Sequence, residues 1–202
     1  MQMPNNYKET QAAGEFTPIA LGGHYLVIKQ VEELSDRNGN PMIKVSYDTA
    51  DNDSQPHYFA NQFRNDIRPD KKWPSNGMTW INVNDQDGKC SRTFKGFTTS
   101  VEKSNPGFSI VWGDQFAASL KNKLIGGIFR EELGVYKGKE THQRKIAWFC
   151  ANEKVAEANI PDAYETKEHK SWKESGGITS APADKDGFMN IPDGVDEELP
   201  FV

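Results

Sequence analysis

Cysteine is scarce: Cys90 and Cys150 are the only two among 202 residues. They allow at most one pairing, and nothing around them stands at metal-ligand spacing, so neither a disulfide scaffold nor a zinc module is expected. Long apolar runs are missing as well. No stretch approaches the roughly 18 apolar residues of a membrane span. The opening Met1-Gln2-Met3-Pro4-Asn5-Asn6 lacks the basic start and apolar centre of a secretory leader. The expectation is a cytoplasmic protein with reduced thiols and no membrane contact.

Catalytic signatures are equally thin. A phosphate-binding loop requires four residues between its glycines and then Lys-Ser/Thr; here Gly134 and Gly138 are separated by three, and Lys139 precedes Glu140. His24, His57, His142 and His169 form no His-x-x-x-His pair. Glu32-Glu33 and Glu131-Glu132 are neighbours in strand-like runs, where adjacent side chains face opposite ways and do not converge on one substrate. No Gly-x-Ser-x-Gly elbow occurs. No enzyme, cofactor or metal is called for.

The formal charge of −5 hides an asymmetry. From Gly176 onward there are six acids (Asp184, Asp186, Asp193, Asp196, Glu197, Glu198) and one base (Lys185), which is the whole excess. Residues 1–175 hold 23 of the 24 bases and 23 of the 29 acids. A neutral body excludes a basic coat but leaves room for a basic groove, so charge has to be judged locally.

The body reads as mainly β. Residues 1–21 are a polar extension whose Phe16 and Ile19 could pack on the core. His24–Glu33 is rich in β-branched and aromatic residues and reads as a strand. The turn Asp36-Arg37-Asn38-Gly39-Asn40-Pro41 follows, then Met42–Thr49, where Ile43, Val45 and Tyr47 alternate with polar residues. Residues 51–76 are irregular. A third strand, Met78–Val83, precedes a helix over Ser91–Lys103 with Phe94, Phe97, Thr98 and Val101 on one face. A shorter helix is expected over Asp114–Lys121, capped by Asp114. Leu124–Glu132 and Arg144–Cys150 are two more strands, with Gly126-Gly127 marking a bulge or close approach and a polar, basic loop over 134–143 between them. The order β-β-β-α-β-β is that of a five-stranded oligonucleotide/oligosaccharide-binding (OB) barrel, here assigned to residues 22–165. Residues 166–192 read as a flexible linker and 193–202 as an acidic tail.

Basic and aromatic residues interleave along this body. Single strands are held by base stacking, about 1–3 kcal/mol per base, with Lys and Arg following the phosphates. The candidates are Lys71, Lys72 and Trp73 before the third strand, Trp80 within it, Phe129 and Arg130 on the fourth, Tyr136, Lys137 and Lys139 in the next loop, and Arg144 and Trp148 on the fifth. Trp73 and Tyr136, in loops beside bases, are expected to be the most exposed. Of Trp148 and Phe149, one must face inward. Most aromatics in a domain of this size are core, and Phe94, Phe97 and Tyr47 are assigned there.

The tail runs Asp196-Glu197-Glu198-Leu199-Pro200-Phe201, with Val202 last. Together with the barrel order it resembles the single-stranded DNA-binding proteins of bacteria and their phages, which end in acidic residues followed by Ile/Leu-Pro-Phe. The stretches Gly22–Val31, Gly39-Asn40-Pro41-Met42 and Phe94-Lys95-Gly96-Phe97 through Val101-Glu102 look more like a phage-encoded form than the cellular one. In that family the Phe usually closes the chain; here Val202 displaces the carboxylate by one residue. The resemblance implies a non-enzymatic protein that coats single-stranded DNA with little sequence preference. It also implies that Asp196–Phe201 recruit replication and recombination proteins, and that the chain works as a homodimer or higher oligomer. The alternative is an OB-fold interaction adaptor without a DNA role, with the tail as its working part.

Overall fold

A computed structural model describes residues 17–176 together with Gln2, Met3 and Tyr7. The strands are β1 (Gly22–Ser35), β2 (Pro41–Thr49), β3 (Met78–Asn82), β4 (Leu124–Tyr136), β5 (Lys139–Cys150) and β6 (Tyr164–Glu165). The helices are α1 (Tyr58–Asn65), α2 (Arg92–Ser104), α3 (Phe116–Leu120) and α4 (Lys167–Glu174). The protein is thus mainly β with few helices.

The sheet runs β3-β2-β1-β4-β5, each neighbour antiparallel, and β6 adds a short parallel pairing to β4 at Glu132 and Leu133. A closed barrel was expected. Among the described residues no pairing joins β3 to β5, so the sheet is open at those two edges. The turn Ser75–Gly77 and helix α2 pack against β5 instead. A register shift between Ile28 and Gln30 lets β1 pair with β4 through its first half and with β2 through most of its length. An extra residue at such a point bends a strand and increases its twist.

The alternation read in β2 sets the core. Ile43, Val45 and Tyr47 point inward with Leu26, Ile28, Ile81, Ile125 and Phe129, and α2 covers them with Phe94, Phe97 and Val101. The α2 start follows from Ser91, whose Oγ accepts the Phe94 N–H at 3.1 Å. At α3 the N-terminal cap position is Gln115, without a side-chain cap, and not Asp114 as expected. The paired glycines mark close approaches. A Cβ at Gly127 would lie 2.4 Å from a Leu26 methyl, and one at Gly126 would lie 2.6 Å from a Val155 methyl. Before β1, Ile19 is fully buried, and its N–H donates to the Tyr58 hydroxyl at 2.8 Å. Phe16 lies outside the described residues.

Two segments differ from expectation. Residues 134–143 are not a loop: β4 and β5 pair continuously to Tyr136 and Lys139. They join at Lys137 (φ 51°) and Gly138 (φ 74°), the doubly positive φ of a tight hairpin turn whose twist matches the strands. Residues 167–174, within the expected linker, form α4, which packs on β4. Its His169 is fully buried, with Nε2 2.7 Å from a Glu140 carboxylate oxygen on β5. The tail, residues 193–202, lies outside the described residues.

Candidate functional site

Strand register builds the first part of the site. The outward residues of β1, β2 and β3 form rungs, and one rung crosses Glu32, Lys44 and Trp80. Trp80 leaves 52% of its surface exposed in the middle of β3. Lys44 Nζ lies 3.0 Å from a Glu32 carboxylate oxygen. Asn82, Asn84, Asn40 and Gln86 line a groove of about 420 Å³ beside the indole. The carboxylates there, Asp36 and Asp85, are occupied by their own turns. Asp36 accepts the N–H groups of Asn38 and Asn40 at 2.8 Å and the Asn40 amide at 2.9 Å, and these bonds hold its carboxyl below the ordinary range. Asp85 accepts the N–H groups of Asp87 and Lys89. A flat π-face ringed by amides suits a nucleobase, which offers both a stacking surface and hydrogen-bonding edges. Amides thus line the groove beside Trp80, and Lys44 stands next to it on the rung, a neighbour that register and not local sequence brings alongside.

The second part lies on β5. Trp148 is 48% exposed, while Phe149 turns inward against Tyr47 and Phe97. That answers which of the pair faces in. At the β4–β5 tip, Tyr136, Lys137 and Lys139 are all exposed, and the Lys137 ammonium sits 5.4 Å from the centre of the Tyr136 ring. Lys71 and Lys72 are exposed too, with Lys71 Nζ donating to the Arg64 carbonyl. Beside them Asp66 is drawn down to about 2 by the forked hydrogen bonds of Arg68.

Four candidates are occupied elsewhere. Phe129 is fully buried among His24, Tyr47 and Phe59 and has no face to offer a base. Trp73, expected to be exposed, donates its indole N–H to the Gly77 carbonyl at 2.9 Å and packs beside Phe63 and against the core. The Arg130 guanidinium lies 4.2 Å over the Tyr164 ring and so braces β6. Arg144 donates to the Ile19 carbonyl at 2.6 Å and clamps the N-terminal arm. For Phe129, Arg130 and Arg144 a partner distant in sequence uses the group, so local context gave no warning, whereas Trp73 is held by its near neighbours Gly77 and Phe63.

Among the exposed aromatics that the sequence did not single out is a further indole in solvent. Trp112, 65% exposed, stacks on Phe116 with ring centres 5.6 Å apart. Among the described residues no three His, Cys, Asp or Glu side chains gather as a metal ion would need, and no helix is long and apolar enough to cross a membrane. The Cys150 thiol, buried against β4, is pushed up by that burial. The chain matches no protein-family model and no curated protein.

Proposed function

We propose that the chain binds single-stranded nucleic acid, DNA in particular, without catalysis and with little sequence preference. One observation carries the reading: Trp80 and Trp148 sit in regular strands yet leave about half of each indole in solvent. An aromatic of that size in a strand is normally buried, where it contributes most to stability. Leaving two uncovered gives up that gain, and base stacking is the interaction that would recover it. They lie on β3 and β5, the two open edges of the sheet.

The strand order supports the same reading. β3-β2-β1-β4-β5 with a helix between β3 and β4 is the order of an OB barrel opened between its third and fifth strands. In such barrels the outer face of the second and third strands, with the first–second and fourth–fifth loops, takes oligonucleotides. In this reading Lys44 on β2 and Trp80 on β3 belong to that face, and Tyr136 and Lys137 lie at the tip of the β4–β5 hairpin that takes the place of the last loop. In this reading the acidic segment Asp196–Phe201 recruits replication and recombination proteins. The setting is the cytoplasm, that of a bacterial host if the chain is phage-encoded, and the open edges pair copies into a dimer or higher oligomer.

The test is a titration of fluorescein-labelled oligo-dT followed by anisotropy. Trp80→Ala and Trp148→Ala are each expected to weaken binding by about 1–3 kcal/mol, with little change in melting temperature because half of each side chain is already exposed. Wild-type affinity in both variants would remove the observation on which the reading stands. The adaptor reading would gain if deletion of residues 193–202 abolished partner capture from a chain that never bound the oligonucleotide.

A further inference from the structure

Trp148 forms one wall of a groove of about 730 Å³ between α2 and the end of β5. The same groove is lined by Arg92, Lys95 and Lys103 of α2 and by Lys154, from the turn after β5, and it contains no carboxylate. Arg92 and Lys103 are three helical turns apart and so face the same way. This face runs beside the apolar one that Phe94, Phe97 and Val101 turn to the core. All four cations are exposed, and among the described residues none is held in an ion pair or a side-chain hydrogen bond. By contrast Lys44, Lys145 and Lys173 are each tied to a carboxylate. Four exposed like charges along one groove leave a local positive potential, which water and salt screen only in part and which attracts a polyanion at short range.

Gly96 is a second, independent sign. It lies in the middle of α2 and lines the groove, where glycine costs about 1 kcal/mol relative to alanine. A Cβ there would meet nothing within 4 Å, and its φ lies outside the left-handed region, so nothing inside the protein requires glycine. What the absent side chain leaves is an open groove wall.

We propose that this groove holds the phosphate backbone of the bound single strand, with Arg92, Lys95, Lys103 and Lys154 on successive phosphates and a base stacked on Trp148. The inference rests on the nucleic-acid reading and extends it to residues outside the OB binding face. Arg92 to Lys103 spans about 16 Å of helix, too long for one small anion. A half-exposed indole in the wall requires an unstacked base, which a single strand offers and a duplex does not.

Lys95→Gln with Lys103→Gln tests the groove, because both positions are exposed and leave the apolar face of α2 intact. Full-length protein is titrated with labelled oligo-dT from about 50 to about 200 mM salt. Each phosphate contact on a single strand contributes about 0.7 to the slope of log K against log salt, so the double variant is expected to flatten the slope by about 1.4 and to bind about 25-fold more weakly near 0.1 M. Gly96→Glu is expected to weaken binding as well. Gly96→Ala should melt at a higher temperature yet bind the oligonucleotide more weakly than wild type, because its methyl group narrows the groove. Wild-type affinity and slope in the double variant would overturn the groove and leave the nucleic-acid reading standing. Failure of wild type itself to bind at the lowest salt would overturn both. A synthetic Asp193–Val202 peptide supplies the remaining arm. If the double variant loses that peptide while keeping oligonucleotide affinity and slope, the groove takes the acidic segment, and the proposal is wrong.

Discussion

Phe129 and Trp80 show how aromatic residues on strands divide between packing and exposure. Phe129 sits at the meeting point of the His24, Tyr47 and Phe59 rings, with ring centres 5.3 to 6.2 Å away. Phe129→Ala is expected to cost about 3–5 kcal/mol of stability by denaturant unfolding, and any loss of binding should follow unfolding. A fully stable Phe129→Ala variant that no longer bound would contradict that division. Asp53 is the electrostatic counterpart. Burial pushes its carboxyl up, but the His24 ring at 2.9 Å and the N–H groups of Gln55 and Tyr25 outweigh it, and the net shift is downward. A folded value below the unfolded one adds stability that is complete above the ordinary carboxylate range. That stability is lost as pH falls through the lowered folded value. Stability measured between pH 7 and 3 should therefore drop more steeply in wild type than in Asp53→Ala, which should start about 3 kcal/mol lower at pH 7. Parallel curves would show that Asp53 does not carry this linkage.

At the scale of elements, what the sequence revealed depended on how local the determining contacts are. β2 was legible because Ile43, Val45 and Tyr47 alternate within one strand, and α2 because its apolar face and the Ser91 cap are all near neighbours. α1 was not, since its start is satisfied from another strand. Asp48 of β2 accepts the N–H groups of Phe59 and Ala60, and the Thr49 hydroxyl oxygen accepts that of Tyr58. His57, at the helix start, has φ 54° and makes no side-chain cap. Asp48→Ala should cost about 2 kcal/mol, the upper range for a lost helix cap, together with faster amide exchange over Tyr58–Asn65. Unchanged exchange there would refute the capping role. α4 was missed for a similar reason: its charged sequence reads as linker, and the contacts that dock it, the buried His169–Glu140 pair among them, reach to distant strands. The site divided the same way. Tyr136, Lys137 and Lys139 could be read from composition, whereas the Lys44–Trp80 pairing, the loss of Arg144 to Ile19 and the basic face beside Trp148 needed the register and packing of distant segments.

At the scale of the whole molecule, positive charge is local, because residues 1–175 balance acids against bases. A neutral body gives little long-range attraction for a polyanion, so the proposed binding has to come from short-range contacts at the two tryptophans and the cations beside Trp148. This separates the account from non-specific adhesion by a basic protein. Base stacking also predicts preference for a strand whose bases are free over one whose bases are paired. The most direct measurement is the affinity of the wild-type protein for labelled oligo-dT and for a duplex of equal length, each at about 50 and about 200 mM salt. The account predicts binding to the single strand that weakens by about 0.7 log units per phosphate contact for each tenfold rise in salt, with the duplex bound markedly less well. Equal affinity for the two forms, or no binding to oligo-dT at the lower salt, would contradict it.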